Sequence, residues 1–189
     1  GPAARATVLC LAGFMGSGKT TVGALLARQL GWRFIDLDER IESVAGLRIP
    51  EIFERFGEPG FRRIESEQLQ SILGCALERG ESTVLALGGG TFAQPANEEL
   101  LRSAGISIIW LDCPLEVLLA RCLTMTGRPL FRDEASFHAL YAQRLPSYQR
   151  AGFRVDSSGE PAAVVAEILR LGIVTPRRDA HLIVEPRTS

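Results

Sequence analysis

Apolar residues recur along this chain in two rhythms. Residues 7–12 (TVLCLA) form a continuously apolar run that ends at Gly13, the pattern of a strand buried on both faces of a parallel sheet. Residues 20–30 change to a period near 3.6, with Val22, Leu25, Leu26 and Leu30 on one face and Gly31 as a stop. The alternation continues with a short strand at 33–36, a helix at about 38–44, and a helix at 50–56 with proline at its first position. Pro59-Gly60 is then expected to break the chain before a long amphipathic helix at about 61–79, which turns Ile64, Leu69, Ile72, Leu73 and Leu77 inward. A buried strand at 83–87 runs into Gly88-Gly89-Gly90. Helices near 97–103, 114–122, 135–149 (kinked at Pro146) and 161–171 alternate with strands at 107–111 and 153–156. Five short strands separated by helices require right-handed crossovers, so the predicted fold is an α/β three-layer sandwich around a five-stranded parallel sheet. A single domain is expected over 1–174, with a mobile polar loop at 124–134 and a flexible tail at 175–189.

Composition narrows the possible functions. With 46% hydrophobic and 23% charged residues among 189, the chain suits a globular domain with a sizeable core and not a disordered or fibrous one. The balance of 21 Lys+Arg against 22 Asp+Glu offers no basic face for a nucleic-acid backbone, whereas small anions remain suitable ligands. Twenty of the basic residues are arginines, which leaves Lys19 as the sole ammonium side chain. Cys10, Cys75, Cys113 and Cys122 lie in apolar runs without any C-x-x-C spacing and read as reduced core residues. No apolar run reaches the ~18 to 20 residues of a membrane span, and no signal-peptide pattern is present. A cytoplasmic monomer without membrane or nucleic-acid partners is the expectation.

The segment Gly13-Phe14-Met15-Gly16-Ser17-Gly18-Lys19-Thr20 matches G-x-x-x-x-G-K-[ST] between a predicted strand and a predicted helix, the context that the phosphate-binding loop requires. Its glycines allow backbone N–H groups to turn around a phosphate while the helix N-terminus adds partial positive charge. Lys19 can reach the β- and γ-phosphates of ATP, and the Thr20 hydroxyl can bind Mg²⁺. The strand at 83–87 ends in glycines and not in an acid, so a second metal carboxylate must come from elsewhere. Asp36 and Asp38, two apart in an extended segment, could face one side, with Asp36 as the outer Mg²⁺ ligand and Asp38 free for an acceptor. Asp38 also has the position of an N-cap for the helix that follows.

Arg62, Arg128 and Arg144 stand where a neutral substrate would not need them. The set GFMGSGKTT, FIDLDERIE, GEPGFRRIE, LALGGG, GRPLF and RLPSY, in this order and in a chain of this size, resembles shikimate kinase over about residues 7–172. The resemblance implies the nucleoside monophosphate kinase fold, with a core, a substrate-binding part at about 37–66 and a lid at about 123–134. It implies transfer of a phosphoryl group from ATP to the 3-hydroxyl of shikimate. Asp38 would hold that hydroxyl, Arg62 and Arg144 would clamp the carboxylate, Phe53 and Phe61 would line the acceptor pocket, and Gly89 with Gly90 would let the ring lie against backbone. Gly13, Met15, Gly16, Ser17, Gly18, Lys19, Thr20 and Thr21 would cradle the phosphates, Arg121 and Pro161 would sandwich the adenine, and Arg128 would touch the transferring phosphate from the lid. Phe131 and Ser147 replace commoner leucines without removing a charge. Glu65, one turn after Arg62, either holds that arginine or pairs at the surface, and His138 and His181 read as solvent-facing.

Two other readings compete. A kinase resembling gluconate kinase would share the fold and phosphate loop but lacks the combined triple glycine and paired arginines. A ligand-sensing module, of the kind fused behind helix-turn-helix domains and binding an aromatic coenzyme A ester, would not need every catalytic group intact.

Overall fold

The computed structural model describes residues 6–126 and 133–176. In chain order the elements are β1 (Val8–Ala12), α1 (Lys19–Leu30), β2 (Arg33–Asp36), α2 (Leu37–Ala45), α3 (Ile49–Arg79), β3 (Thr83–Ala86), α4 (Pro95–Ser103), β4 (Ser107–Asp112), α5 (Leu115–Thr126), α6 (Glu134–Tyr148), β5 (Phe153–Asp156) and α7 (Pro161–Arg170). The strands form one parallel sheet in the order β2-β3-β1-β4-β5, with Leu9 opposite Val84 on one side and Ser107 on the other.

Strand alternation explains how the sheet is covered on both faces. From β1, Val8, Cys10 and Ala12 pack into the core shared with α2, α3 and α4, while Leu9 and Leu11 face α1 and α7. All five are buried, which is why the run reads as continuously apolar. A third core joins Phe14 and Trp110 to Cys122 of α5 and to Phe137 and Tyr148 of α6. Each fully buried aliphatic or aromatic side chain contributes roughly 1.5–3 kcal/mol of burial. Cys10, Cys113 and Cys122 are buried, Cys75 is half-buried, and none of the four is joined in a disulfide among the described residues. No helix among the described residues is long and apolar enough to cross a membrane.

Three local expectations differ from the structure. The break expected at Pro59-Gly60 falls earlier, at Gly57 (φ 67°, ψ 179°), and helical geometry resumes around Pro59 inside α3. Proline tolerates the opening turn of a helix but not its interior, so a break before it removes the clash with the preceding turn. Leu77, expected inward, is 62% exposed, and the shorter Ala76 faces the core in its place. The second helix begins at Leu37, directly after β2, so Asp38 lies in a helical first turn and not in an extended segment. Arg128, half of the expected lid, and His181 with the tail beyond residue 176 lie outside the described residues.

Candidate active site

The site lies at the C-terminal ends of β1, β2 and β3, which are neighbours in the sheet. The phosphate loop leaves β1 and turns into α1 at Gly18, whose φ of 94° is open to glycine but strained for other residues. No side chain caps α1, so its first backbone N–H groups are free to meet an anion. Lys19 Nζ donates to the carbonyls of Gly13 (2.5 Å) and Phe14 (3.2 Å), folded back along the loop. Burial pushes its ammonium pKa down to about 8, against the opposing pull of the Asp38 and Asp36 charges.

A cavity of about 710 Å³ runs from this loop toward α7. Met15, Gly16, Ser17, Gly18, Lys19, Thr20 and Thr21 line it together with Asp36, Asp38, Arg121 and Pro161, so most of the residues predicted to bind nucleotide and metal share one space. Gly13 does not line the cavity. It is buried behind the loop, where a Cβ would stand 2.6 Å from Ser17 Oγ. At the far end Arg121 donates to the carbonyls of Gly16 (3.2 Å), Ser157 (2.8 Å) and Ser158 (3.0 Å), tying the phosphate loop to the turn that leads to Pro161. The 157–160 turn went unrecognised in the sequence, where its only mark is a Ser-Ser-Gly cluster between a strand and a helix.

Asp36, and not Asp38, caps α2. Its Oδ1 accepts from the N–H groups of Asp38 (2.9 Å) and Glu39 (3.2 Å), an arrangement worth about 1 kcal/mol. Its other oxygen, Oδ2, accepts from the Thr20 hydroxyl at 2.6 Å. This all-oxygen hydroxyl–carboxylate pair beside the phosphate loop fits a hard divalent cation such as Mg²⁺, which takes few protein ligands and completes its shell with phosphate and water. Among the described residues there is no cluster of three or more acidic, histidine or cysteine side chains that would form an all-protein metal cage.

With the cap supplied by Asp36, the Asp38 side chain faces the cavity. Burial raises its pKa to about 6, only partly opposed by Lys19 and reinforced by the negative charges of Asp36, Glu65 and Glu42. Gly88 lies against it closely enough that a Cβ would meet Asp38 Oδ1 at 2.7 Å. The next two glycines abut the acceptor arginines. A Cβ on Gly89 would stand 2.9 Å from Arg144 Nη1, and one on Gly90 would stand 2.6 Å from Arg62 Nη2 and 3.1 Å from Arg144 Nη2. Two guanidiniums from α3 and α6 therefore converge on one point of backbone, the geometry that holds a carboxylate by paired charged hydrogen bonds.

Glu65 is buried and does not pair at the surface. Its Oε1 accepts from Arg62 Nη1 at 2.9 Å and its Oε2 from the Thr91 hydroxyl at 2.8 Å. Phe61, nearly buried, stacks on the half-exposed Phe53 with ring centroids 4.6 Å apart and also lies under Arg62. His138 is an exposed partner of Glu134 and remote in role from this cluster.

Comparison with known proteins points to one family. The family model for shikimate kinase matches residues 15–171. A shikimate kinase from Synechococcus sp. (strain RCC307) is 45% identical over 167 residues, covering 86% of this chain and 82% of the relative. Another, from Geobacter sulfurreducens, is 44% identical over 162 residues, covering 84% of this chain and 86% of its own length. The solved shikimate kinase from Acinetobacter baumannii, in complex with shikimate, superimposes with a TM-score of 0.79 at 35% identity and covers 89% of this chain and 93% of that one. On the family-model match and on the identity and coverage of these relatives, the chain belongs to the shikimate kinase family.

Proposed function

We propose that this chain transfers the γ-phosphoryl group of ATP to the 3-hydroxyl of shikimate, with the reacting groups supplied by three adjoining strand ends. The observation that carries this reading is the meeting of Arg62 and Arg144 at Gly90, beside Asp38 and one strand away from the phosphate loop. Arg62 and Arg144 bind the acceptor carboxylate, Phe53 and Phe61 wall the pocket, and the Gly89–Gly90 backbone lies against the ring. Asp38, ionised above its raised pKa, accepts a hydrogen bond from the reacting hydroxyl and takes its proton as the oxygen attacks. Lys19 and the loop N–H groups stabilise charge on the β- and γ-phosphates. Thr20 would hold Mg²⁺ directly and Asp36 as its outer partner; bound there, the ion would offset the negative charge of the phosphates. Arg121 and Pro161 flank the adenine. Residues 37–66 act as the acceptor-binding part and 123–134 as a lid, from which Arg128 reaches the transferred group. The protein acts as a cytoplasmic monomer on small molecules, without nucleic-acid or membrane partners.

A gluconate-kinase-like chain would lack the combined triple glycine and paired acceptor arginines found here, and the sensing reading has no use for the Lys19, Thr20 and Asp36 constellation. ADP release from ATP and Mg²⁺ with shikimate, gluconate or no acceptor tests the assignment. Turnover is expected with shikimate only; ATP binding without turnover on any acceptor would sink it.

A further inference from the structure

The acceptor pocket also depends on a side chain that does not face it. Arg144 and Tyr148 are four residues apart on α6 and so share one helical face. Tyr148 is fully buried, its ring stacked on Trp110 with centroids 6.1 Å apart, yet its hydroxyl donates to the Gly89 carbonyl at 2.5 Å. Arg144 is a charged neighbour of the same phenol, and its Nη1 lies against Gly89. Burial outweighs that charge and keeps the phenol protonated, and therefore a donor.

We propose that Tyr148 is a positioning residue whose hydroxyl fixes both the Arg144 guanidinium and the Gly89–Gly90 peptide in the orientation that receives the acceptor carboxylate. In a trans peptide the C=O and the following N–H point in opposite directions, and the described chain contains no cis bond. Holding the Gly89 carbonyl toward Tyr148 turns the Gly90 N–H away from it, and among the described residues that N–H has no acceptor. Thr91 anchors the other end of the loop, through its hydroxyl to Glu65 and its carbonyl to Asn97 (3.1 Å), so rotation of the Gly89–Gly90 peptide is the freedom that Tyr148 removes. Glycines have the widest conformational range of any residue, and a loop of three needs such a restraint to present one geometry.

This inference rests on the reading of Arg144 as a carboxylate ligand, and the test separates the two. Steady-state kinetics are measured for the wild type and Tyr148→Phe with shikimate and with its methyl ester, which lacks the carboxylate charge. The wild type is expected to prefer shikimate strongly. Tyr148→Phe, which keeps the ring and its stacking, is expected to raise KM for shikimate about tenfold, the loss of one hydrogen bond at a charged site. It should leave KM for ATP, kcat and KM for the ester within about twofold by the same reasoning. In an Arg144→Ala background the same change should cost less than it does in the wild type, because only the Gly89–Gly90 peptide is then left to be positioned. An unaltered shikimate KM overturns the role of Tyr148, as does an equal loss for both acceptors or a parallel loss in ATP KM and kcat, which would mark general loosening. A wild type that uses the ester as well as shikimate overturns the carboxylate clamp and this role with it.

Discussion

The ring of Phe14, the second residue of the phosphate loop, lies under the guanidinium of Arg144, 5.9 Å from its central carbon. The same ring meets Phe137 and Tyr141 edge-on at 5.1 and 5.4 Å, so the loop that cradles phosphate and the helix that carries an acceptor arginine share one aromatic seat. A cation over an aromatic face at a partly exposed site is worth about 0.5–1 kcal/mol. Phe14→Leu is therefore expected to weaken shikimate binding about two- to fivefold, as measured by calorimetry without nucleotide. Unchanged affinity would mean that Arg144 holds its position without the ring.

Asp38 links activity to pH. Its pKa near 6 predicts that kcat/KM for shikimate rises with pH through about 6, and that Asp38→Asn abolishes both the limb and most of the turnover. A profile flat between pH 5 and 7 would remove Asp38 as the base.

Stability should move the other way. Because the folded pKa lies above the unfolded value, the folded state binds the proton more tightly, and the associated stability is present below about pH 4 and lost as pH rises through 6. Asparagine mimics the protonated form. Asp38→Asn should thus be more stable than wild type at pH 7.5 by roughly 1–2 kcal/mol, allowing for solvent screening at a half-buried group, with no gain at pH 4. Thermal melts at the two pH values check this, and equal midpoints at pH 7.5 would contradict it.

Thr20 offers a test of the metal site that leaves the acceptor side untouched. Thr20→Val removes the hydroxyl that meets Asp36 Oδ2 at 2.6 Å, and should raise the Mg²⁺ concentration for half-maximal activity on the order of tenfold, while Thr20→Ser restores it. If the valine variant titrates with Mg²⁺ as the wild type does, Thr20 is not a ligand.

The sheet and the phosphate loop were legible because each is encoded locally: β1 in a run buried on both faces, the loop in fixed glycine and lysine spacings. The acceptor side was legible only through resemblance, because Arg62, Gly90 and Arg144 are distant in sequence and meet through tertiary packing. The identity of the α2 cap was left open for a related reason. Asp36 and Asp38 are equally good capping residues, and the choice is made by where β2 ends, since a strand that pairs as far as Asp36 leaves no extended residue between it and the helix. The kink at Gly57 follows the same logic, as Pro59 forbids a continuous helix and the nearest preceding glycine absorbs the turn.

The placement of β3 between β1 and β2 fixes a length. The phosphate loop and Asp36 emerge from strands two positions apart, and neighbouring parallel strands keep a spacing set by their backbone hydrogen bonds, so the two strand ends that carry them are roughly 10 Å apart. That gauge belongs to the backbone and not to any side chain or movable segment. Acceptor preference can therefore drift through changes on α2, α3 and α6, which carry the contacts, while the donor distance stays constant. A substitution that altered the pitch of the sheet would disturb every acceptor equally.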